Sequence, residues 1–114
     1  MSDVVVTVPR DRWSFWQSEG DLPGDAATGD EYGFWVSTRP DIKPGERVYI
    51  VAHGKLRGYA PLTRVMAQGG RFALCRAGGA VACTIPEPIP GFRGVRYRWW
   101  DRSDETPFPD WRRP

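Results

Sequence analysis

The chain has 114 residues, of which 40% are hydrophobic and 26% charged; this composition fits one globular domain and excludes a wholly disordered chain. No apolar run approaches the ~18 residues that a membrane-spanning helix needs. The formal net charge of +2 is too small to indicate nucleic-acid binding by itself. Two cysteines and one histidine cannot fill a structural zinc site without help from carboxylates or a partner chain. We expect no metal and no cofactor.

The charges are unevenly distributed along the chain. Residues 1–31 contain two basic and seven acidic residues, whereas residues 32–76 contain eight basic and two acidic ones. A basic centre of this kind can attract phosphates, although opposite charges on two solvated faces would give the same pattern. The opening residues lack a basic segment, and Pro9 interrupts their apolar run. We therefore predict no signal peptide and a cytoplasmic protein.

Short strands dominate the predicted elements. A β-branched run at 4–8 predicts the first strand. A helix over 12–19 follows, with Asp11 or Ser14 as its cap and Gly20 as its end. The acidic, glycine-containing segment 19–31 is a loop long enough to be a lid or a binding loop. Further strands are predicted at 33–37, 47–52, 56–65, 72–76, 80–85 and 95–100.

Glycine and proline predict how these strands connect. A tight turn at 53–55 joins two of them as a hairpin, and a second hairpin is predicted around Gly78 and Gly79. That hairpin would place Cys75 opposite Cys83, which we interpret as buried thiols rather than a disulfide. The predicted fold class is α+β, mostly β: a small curled sheet or barrel of about six short strands with a helix after the first. Residues 1–114 form a single domain, and 101–114 is an irregular, proline-rich tail.

Six tryptophans are more than a small core buries completely. Neighbouring residues of a strand point to opposite faces, so Phe34 and Trp35 must diverge, as must Trp99 and Trp100. Aromatic walls near arginine and lysine suit a flat base or a cation, whereas the alternative is that these aromatics fill the core. The candidate binding residues are Trp13, Trp16, Trp35, Ser37, Thr38, Arg39, Lys55, Arg57, Trp99 and Trp100.

Three segments, FWVST at 34–38, KPGERVYI at 43–50 and LRGYA at 56–60, follow the pattern of a known superfamily. The chain resembles PUA-like domains, particularly their EVE, ASCH and YTH branches, over residues 4–67. The resemblance implies a PUA-like barrel with a pocket between helix and sheet, which in EVE and YTH proteins takes a modified base. Trp35 corresponds to one wall of that pocket, with Ser37 and Thr38 beside it.

Known catalytic motifs are absent. The sequence contains no GxxxxGK[ST], GxSxG, HExxH or paired CxxC motif, which favours a binding module over an enzyme. We expect a nucleic-acid partner, DNA or RNA, with a modified or flipped base in an aromatic pocket, and no membrane. One alternative is a small protein-interaction or inhibitory module without affinity for nucleic acid, which docks through its C-terminal tail. Another is an ASCH-type hydrolase of nucleosides or RNA.

Overall fold

The computed structural model describes residues 2–14, 31–77, 81–111 and 113. Eight strands of these segments form one sheet. They are β1 (Val4–Thr7), β2 (Glu31–Val36), β3 (Arg47–Ala52), β4 (Lys55–Gln68), β5 (Arg71–Ala77), β6 (Val81–Thr84), β7 (Val95–Tyr97) and β8 (Thr106–Pro107). Two 3-10 turns, Arg10–Arg12 and Arg102–Asp104, supplement them.

The sheet curls into a half-barrel in the order β2-β5-β4-β3-β1-β7, while β6 pairs with β4 and β8 pairs with β6. β1 runs parallel to β3, and the other pairs are antiparallel. The predicted mostly-β, curled sheet is therefore confirmed. Of the helix predicted over 12–19, the structure describes only the first residues, where the 3-10 turn leads into a helical Trp13 and Ser14. The rest of that helix lies outside the described residues.

The central strand β3 is buried on both faces, which explains why its sequence is almost continuously apolar. Val48 packs inside the curl of the sheet against Val4 and Val6. Its neighbour Tyr49 points the other way and packs against Val5 and the C-terminal part of the chain. The core therefore occupies both faces of β3, and a third cluster joins Ile50 to Trp13 and to Trp111 of the tail.

The turn between β3 and β4 forms as predicted. His53 and Gly54 both have positive φ, 50° and 74°, as the two-residue turn that matches the twist of a hairpin requires. The second predicted hairpin is wrong, because β6 pairs with β4 through Gly58 and Ala82 instead of with β5. Gly58 permits this approach, since a Cβ there would lie 2.4 Å from the carbonyl oxygen of Val81. Cys75 and Cys83 are buried free thiols, as predicted.

The C-terminal tail packs against the sheet. It contains the 3-10 turn Arg102–Asp104 and β8, which pairs with β6. Trp111 is only 4% exposed, and its ring meets that of Trp13 edge to face at 6.1 Å. Burying a side chain as large as tryptophan fixes the tail to the rest of the fold, although the tail has little regular secondary structure of its own. Among the described residues, no helix is long and apolar enough to cross a membrane.

Candidate functional site

A groove opens where the curled sheet brings β2 close to β1. It has a volume of about 230 Å³. Its lining residues are Val6, Thr7, Pro9, Phe34, Trp35, Val36, Phe92, Arg93 and Gly94. Trp35 is 44% exposed, whereas its neighbours Phe34 and Val36 turn toward the core. The predicted divergence of Phe34 and Trp35 is therefore confirmed, and it leaves an indole ring on the wall of a groove. We call this site the Trp35 groove.

Arginines stand over the aromatic rings of the Trp35 groove. The guanidinium of Arg71 lies 5.9 Å from the centroid of the Trp35 ring. That of Arg96 lies 4.4 Å from the centroid of Phe92, and Arg93 lines the groove itself. None of the described residues that line the groove is acidic. The groove thus combines flat apolar surfaces with positive charge, which suits an anionic ligand that carries a flat ring.

Polar backbone and side-chain groups border the same groove. The hydroxyl oxygen of Thr7 accepts a hydrogen bond from the N–H of Phe92 at 3.2 Å, so its own proton can be donated elsewhere. In the described pairing, β2 ends the sheet and bonds to β5 alone. A terminal strand presents backbone donors and acceptors on its outer side. These groups can read the polar edge of a ligand whose face rests on Trp35.

A second, wider cavity of about 640 Å³ lies at the opposite end of β1. Its lining residues are Asp3, Arg98, Trp99, Trp100, Asp101 and Arg102. Trp99 is 44% exposed and Trp100 only 8%, but both lie beyond β7, because the strand predicted over 95–100 ends at Tyr97. The indole nitrogen of Trp99 donates to Glu87 at 3.0 Å, and its ring meets Trp100 edge to face at 5.0 Å. We call this site the Trp99 cavity.

Asp3 holds the Trp99 cavity together. Its buried carboxylate accepts hydrogen bonds from Arg98 at 3.1 Å and from Arg102 at 2.7 Å. The backbone N–H of Arg47 donates to its other oxygen at 2.9 Å. Burial alone would raise the pKa of Asp3, but these hydrogen bonds and the charge of Arg102 outweigh it, so the pKa is lowered. The arginines are therefore fixed in place by a permanent counter-charge.

Trp13 and Arg57, both predicted to bind ligand, belong to the interior instead. Trp13 is 5% and Arg57 only 1% exposed. The guanidinium of Arg57 donates to the carbonyls of Ala52 at 2.8 Å and Trp111 at 3.3 Å, and it lies 5.4 Å from the Trp13 ring centroid. A buried guanidinium needs such partners because it cannot lose its charge. Arg57 therefore ties the tail to the sheet and has no surface to offer a phosphate.

Most of the remaining predicted site residues lie apart from both cavities or outside the described residues. Ser37, Thr38 and Arg39 are exposed and follow β2, beyond the residues that line the Trp35 groove. Lys55 is exposed at the start of β4, with its ammonium 6.0 Å from the Phe108 ring centroid. Trp16 lies outside the described residues. Trp100 lines the Trp99 cavity but is buried.

A buried polar cluster around Glu105 was not anticipated from the sequence. Its carboxylate accepts from the hydroxyl of Tyr49 at 2.6 Å, from the indole of Trp100 at 2.9 Å and from Arg47 at 3.1 Å. Burial and this carboxylate raise the pKa of Tyr49. The cluster is fully paired, so it locks Trp100 under the Trp99 cavity instead of presenting a reactive group. The one sequence signal for this cluster is the excess of tyrosine and tryptophan, whose O–H and N–H groups need hydrogen-bond partners when they are buried.

Two kinds of reactive group can be checked among the described residues, a thiol and a metal site. Burial raises the pKa of Cys83 to about 12, so its thiol stays protonated and is a poor nucleophile. No group of three or more potential ligands from histidine, cysteine, aspartate and glutamate comes together in the described part of the chain. The described surface carries two exposed tryptophans, Trp35 and Trp99, each in a cavity with arginine.

Comparisons with protein-family models, with curated proteins and with solved structures find no match to this chain.

Proposed function

We propose that this protein binds nucleic acid and that a base enters the Trp35 groove and stacks on the indole ring. The observation that carries the proposal is the 44% exposure of Trp35 on the wall of a groove that also contains Arg93 and lies beside Arg71. A large exposed indole costs hydration free energy unless a ligand covers it. The groove is lined by aromatic residues and an arginine, and its described lining contains no carboxylate. Such a lining suits a base together with its phosphate.

The two parts of a nucleotide would meet different groups. The base face would stack on Trp35, an interaction worth about 1–3 kcal/mol. Its polar edge would face the hydroxyl of Thr7 and the outer side of β2. The phosphates would meet Arg93 and Arg71, and this part of the affinity would fall as salt rises.

The PUA-like resemblance supports the same site. In the PUA-like relatives that bind modified bases, the pocket lies between a helix and a curled sheet, and Trp35 corresponds to a pocket wall. The curled, mostly-β sheet of this chain is compatible with that fold. On this basis we propose a PUA-like domain that receives a modified or flipped base. Flipping costs a few kcal/mol, which stacking and edge hydrogen bonds offset.

The test is a titration of plain and base-modified oligonucleotides, single-stranded and duplex, at two salt concentrations. We expect Trp35→Ala to weaken binding about tenfold while the melting temperature stays close to wild type, because the ring is exposed. Tyr97→Ala is the matched control, since Tyr97 is 51% exposed and lies outside the groove. Equal affinities for Trp35→Ala and wild type, or no binding to any oligonucleotide, would overturn the proposal.

A further inference from the structure

We propose that the Trp35 groove and the Trp99 cavity are the two ends of one path for single-stranded nucleic acid, which follows β7 and stacks a base at each end. The Trp35 end is the site of the proposed function, on which this inference rests. The Trp99 end is a separate platform with its own arginines.

The two sites lie at opposite ends of one two-stranded ribbon. The groove touches Val6 and Gly94, whereas the cavity touches Asp3 and Arg98. β1 and β7 pair antiparallel between them, and the N–H of Arg98 donates to the carbonyl of Asp3 at 3.0 Å, which extends the ladder beyond Tyr97. At about 3.3 Å per residue, the four steps from Gly94 to Arg98 span about 13 Å. A strand of a few nucleotides covers that distance.

Arginines follow the ribbon from one end to the other. Arg96 and Arg98 are two residues apart on an extended chain, so their side chains share a face. Arg96 is exposed over Phe92 of the groove, and Arg98 lines the cavity. Arg93 extends this row at the groove end. Arg93 and Arg96 would supply most of the positive charge for a phosphate backbone, because Arg98 is already paired with Asp3 and Asp101 also lines the cavity.

The other face of β7 is engaged differently. Tyr97 lies between Arg96 and Arg98 and points away from them. Its hydroxyl oxygen accepts the N–H of Asp41 at 2.8 Å. The exposed aromatics therefore differ: of the three large exposed aromatics among the described residues, Trp35 and Trp99 lie in cavities with arginine and Tyr97 does not.

The occupant is a single strand because both platforms need open base faces. In a duplex the bases stack on one another and their faces are closed to side chains, whereas a single strand can rest successive bases on separate aromatics. Two linked contacts also raise affinity through effective concentration once the strand is long enough to reach both. The path therefore predicts that affinity rises with the length of the single strand until the strand reaches both sites.

The experiment compares oligothymidine and oligouridine of about three and about ten nucleotides on wild type, Trp35→Ala, Trp99→Ala and the control Tyr97→Ala. We expect wild type to bind the longer strand at least tenfold more tightly than the shorter one. Trp99→Ala should lose that gain and keep the wild-type affinity for the short strand. Arg96→Gln should lower the salt dependence more for the long strand than for the short one, because Arg96 lies over Phe92 of the groove and also belongs to the row of arginines; this variant tests the row without removing an aromatic.

The outcomes separate the path from the proposed function. If Trp99→Ala binds the long strand like wild type while Trp35→Ala is weakened, the path is wrong and the groove remains. If Trp99→Ala is weakened and Trp35→Ala is not, both the groove and the two-ended path are wrong. The path also fails if duplex of equal length binds as tightly as the single strand.

Discussion

The Trp35 groove and the Trp99 cavity use the same residue types in different ways. At the groove, the described lining carries no carboxylate, and the arginines contact aromatic rings. At the cavity, Asp3 fixes two arginines and Glu87 fixes the indole of Trp99. An exposed tryptophan beside arginine can therefore be of two kinds. The side chains around it are held by hydrogen bonds to carboxylates at the cavity, which we call braced, and the described lining of the groove has no such carboxylate, so we call it open. A braced site costs less side-chain entropy when a ligand binds, but it gives up part of its charge.

The largest effect is expected for Asp3→Ala, which removes the carboxylate that holds the arginines of the Trp99 cavity. Removing the carboxylate takes the acceptor from the N–H of Arg47 and from two partly exposed arginines, so we expect the free energy of unfolding to fall by about 1–3 kcal/mol. Trp35→Ala at the open groove should cost less than about 1 kcal/mol. Urea denaturation measures both, and Asp104→Ala, at an exposed carboxylate, is the control. Similar losses for Asp3→Ala and Asp104→Ala would show that the cavity is not braced.

Acid should loosen the cavity through the same carboxylate. The pKa of Asp3 is lowered in the folded state, below its ordinary value of 3.8. Its stabilising effect is therefore complete above that value and is lost as the pH falls through the folded-state pKa. The difference in unfolding free energy between wild type and Asp3→Ala should thus shrink as the pH falls below about 4. A difference that stays constant down to pH 2 would contradict this account.

The charge of the two sites can be compared through salt dependence. Arg93→Ala should reduce the slope of log affinity against log salt by about 0.7–0.9, the value for one lost phosphate contact. Arg102→Ala should reduce it less, because the Arg102 guanidinium already donates to Asp3. Binding of a ten-nucleotide strand, measured by fluorescence anisotropy over a salt series, gives both slopes. Equal reductions would mean that Arg102 leaves Asp3 when the ligand binds.

The smallest effect is expected at Glu87. Glu87→Ala should shift the indole N–H resonance of Trp99 in an NMR spectrum, since that group loses its acceptor. Stability should change by less than about 0.5 kcal/mol, because the contact is exposed. Asp104→Ala serves again as the control and should leave the indole resonances in place. An unshifted Trp99 resonance would show that the ring is held by Trp100 alone.

The local sequence predicted the strands, the turn and the side-chain directions that depend on residue alternation and on turn residues. The run of Val4, Val5 and Val6 and the strand Arg47–Ala52 were found because β-branched and apolar residues continue without a turn signal. The positive φ of Gly54 followed from its place between two strands. Strand alternation correctly indicated that Trp35 is exposed beside Phe34, whereas Trp99 and Trp100 lie beyond the end of β7 and their different exposures do not follow from alternation.

The same local rules failed wherever residues far apart in the sequence pair or pack together. Gly78 and Gly79 look like a hairpin turn, but β6 pairs with β4 because Gly58 lets the strands approach. Arg57 resembles a surface residue, and only the return of the tail, with the carbonyl of Trp111, makes its burial possible. The Asp3 cluster joins residues that are about a hundred positions apart. No local pattern contains that information.

The position of β1 has a consequence for how the chain reaches this fold. Val4 pairs with Val48 on one side and with Tyr97 on the other. β1 is therefore synthesised about ninety residues before its second neighbour, β7. Until then its valine-rich edge is open to pairing with other chains, and so many distant contacts also slow folding. Early protection of this edge, by a chaperone or by rapid translation of the last strands, should determine the yield of native protein.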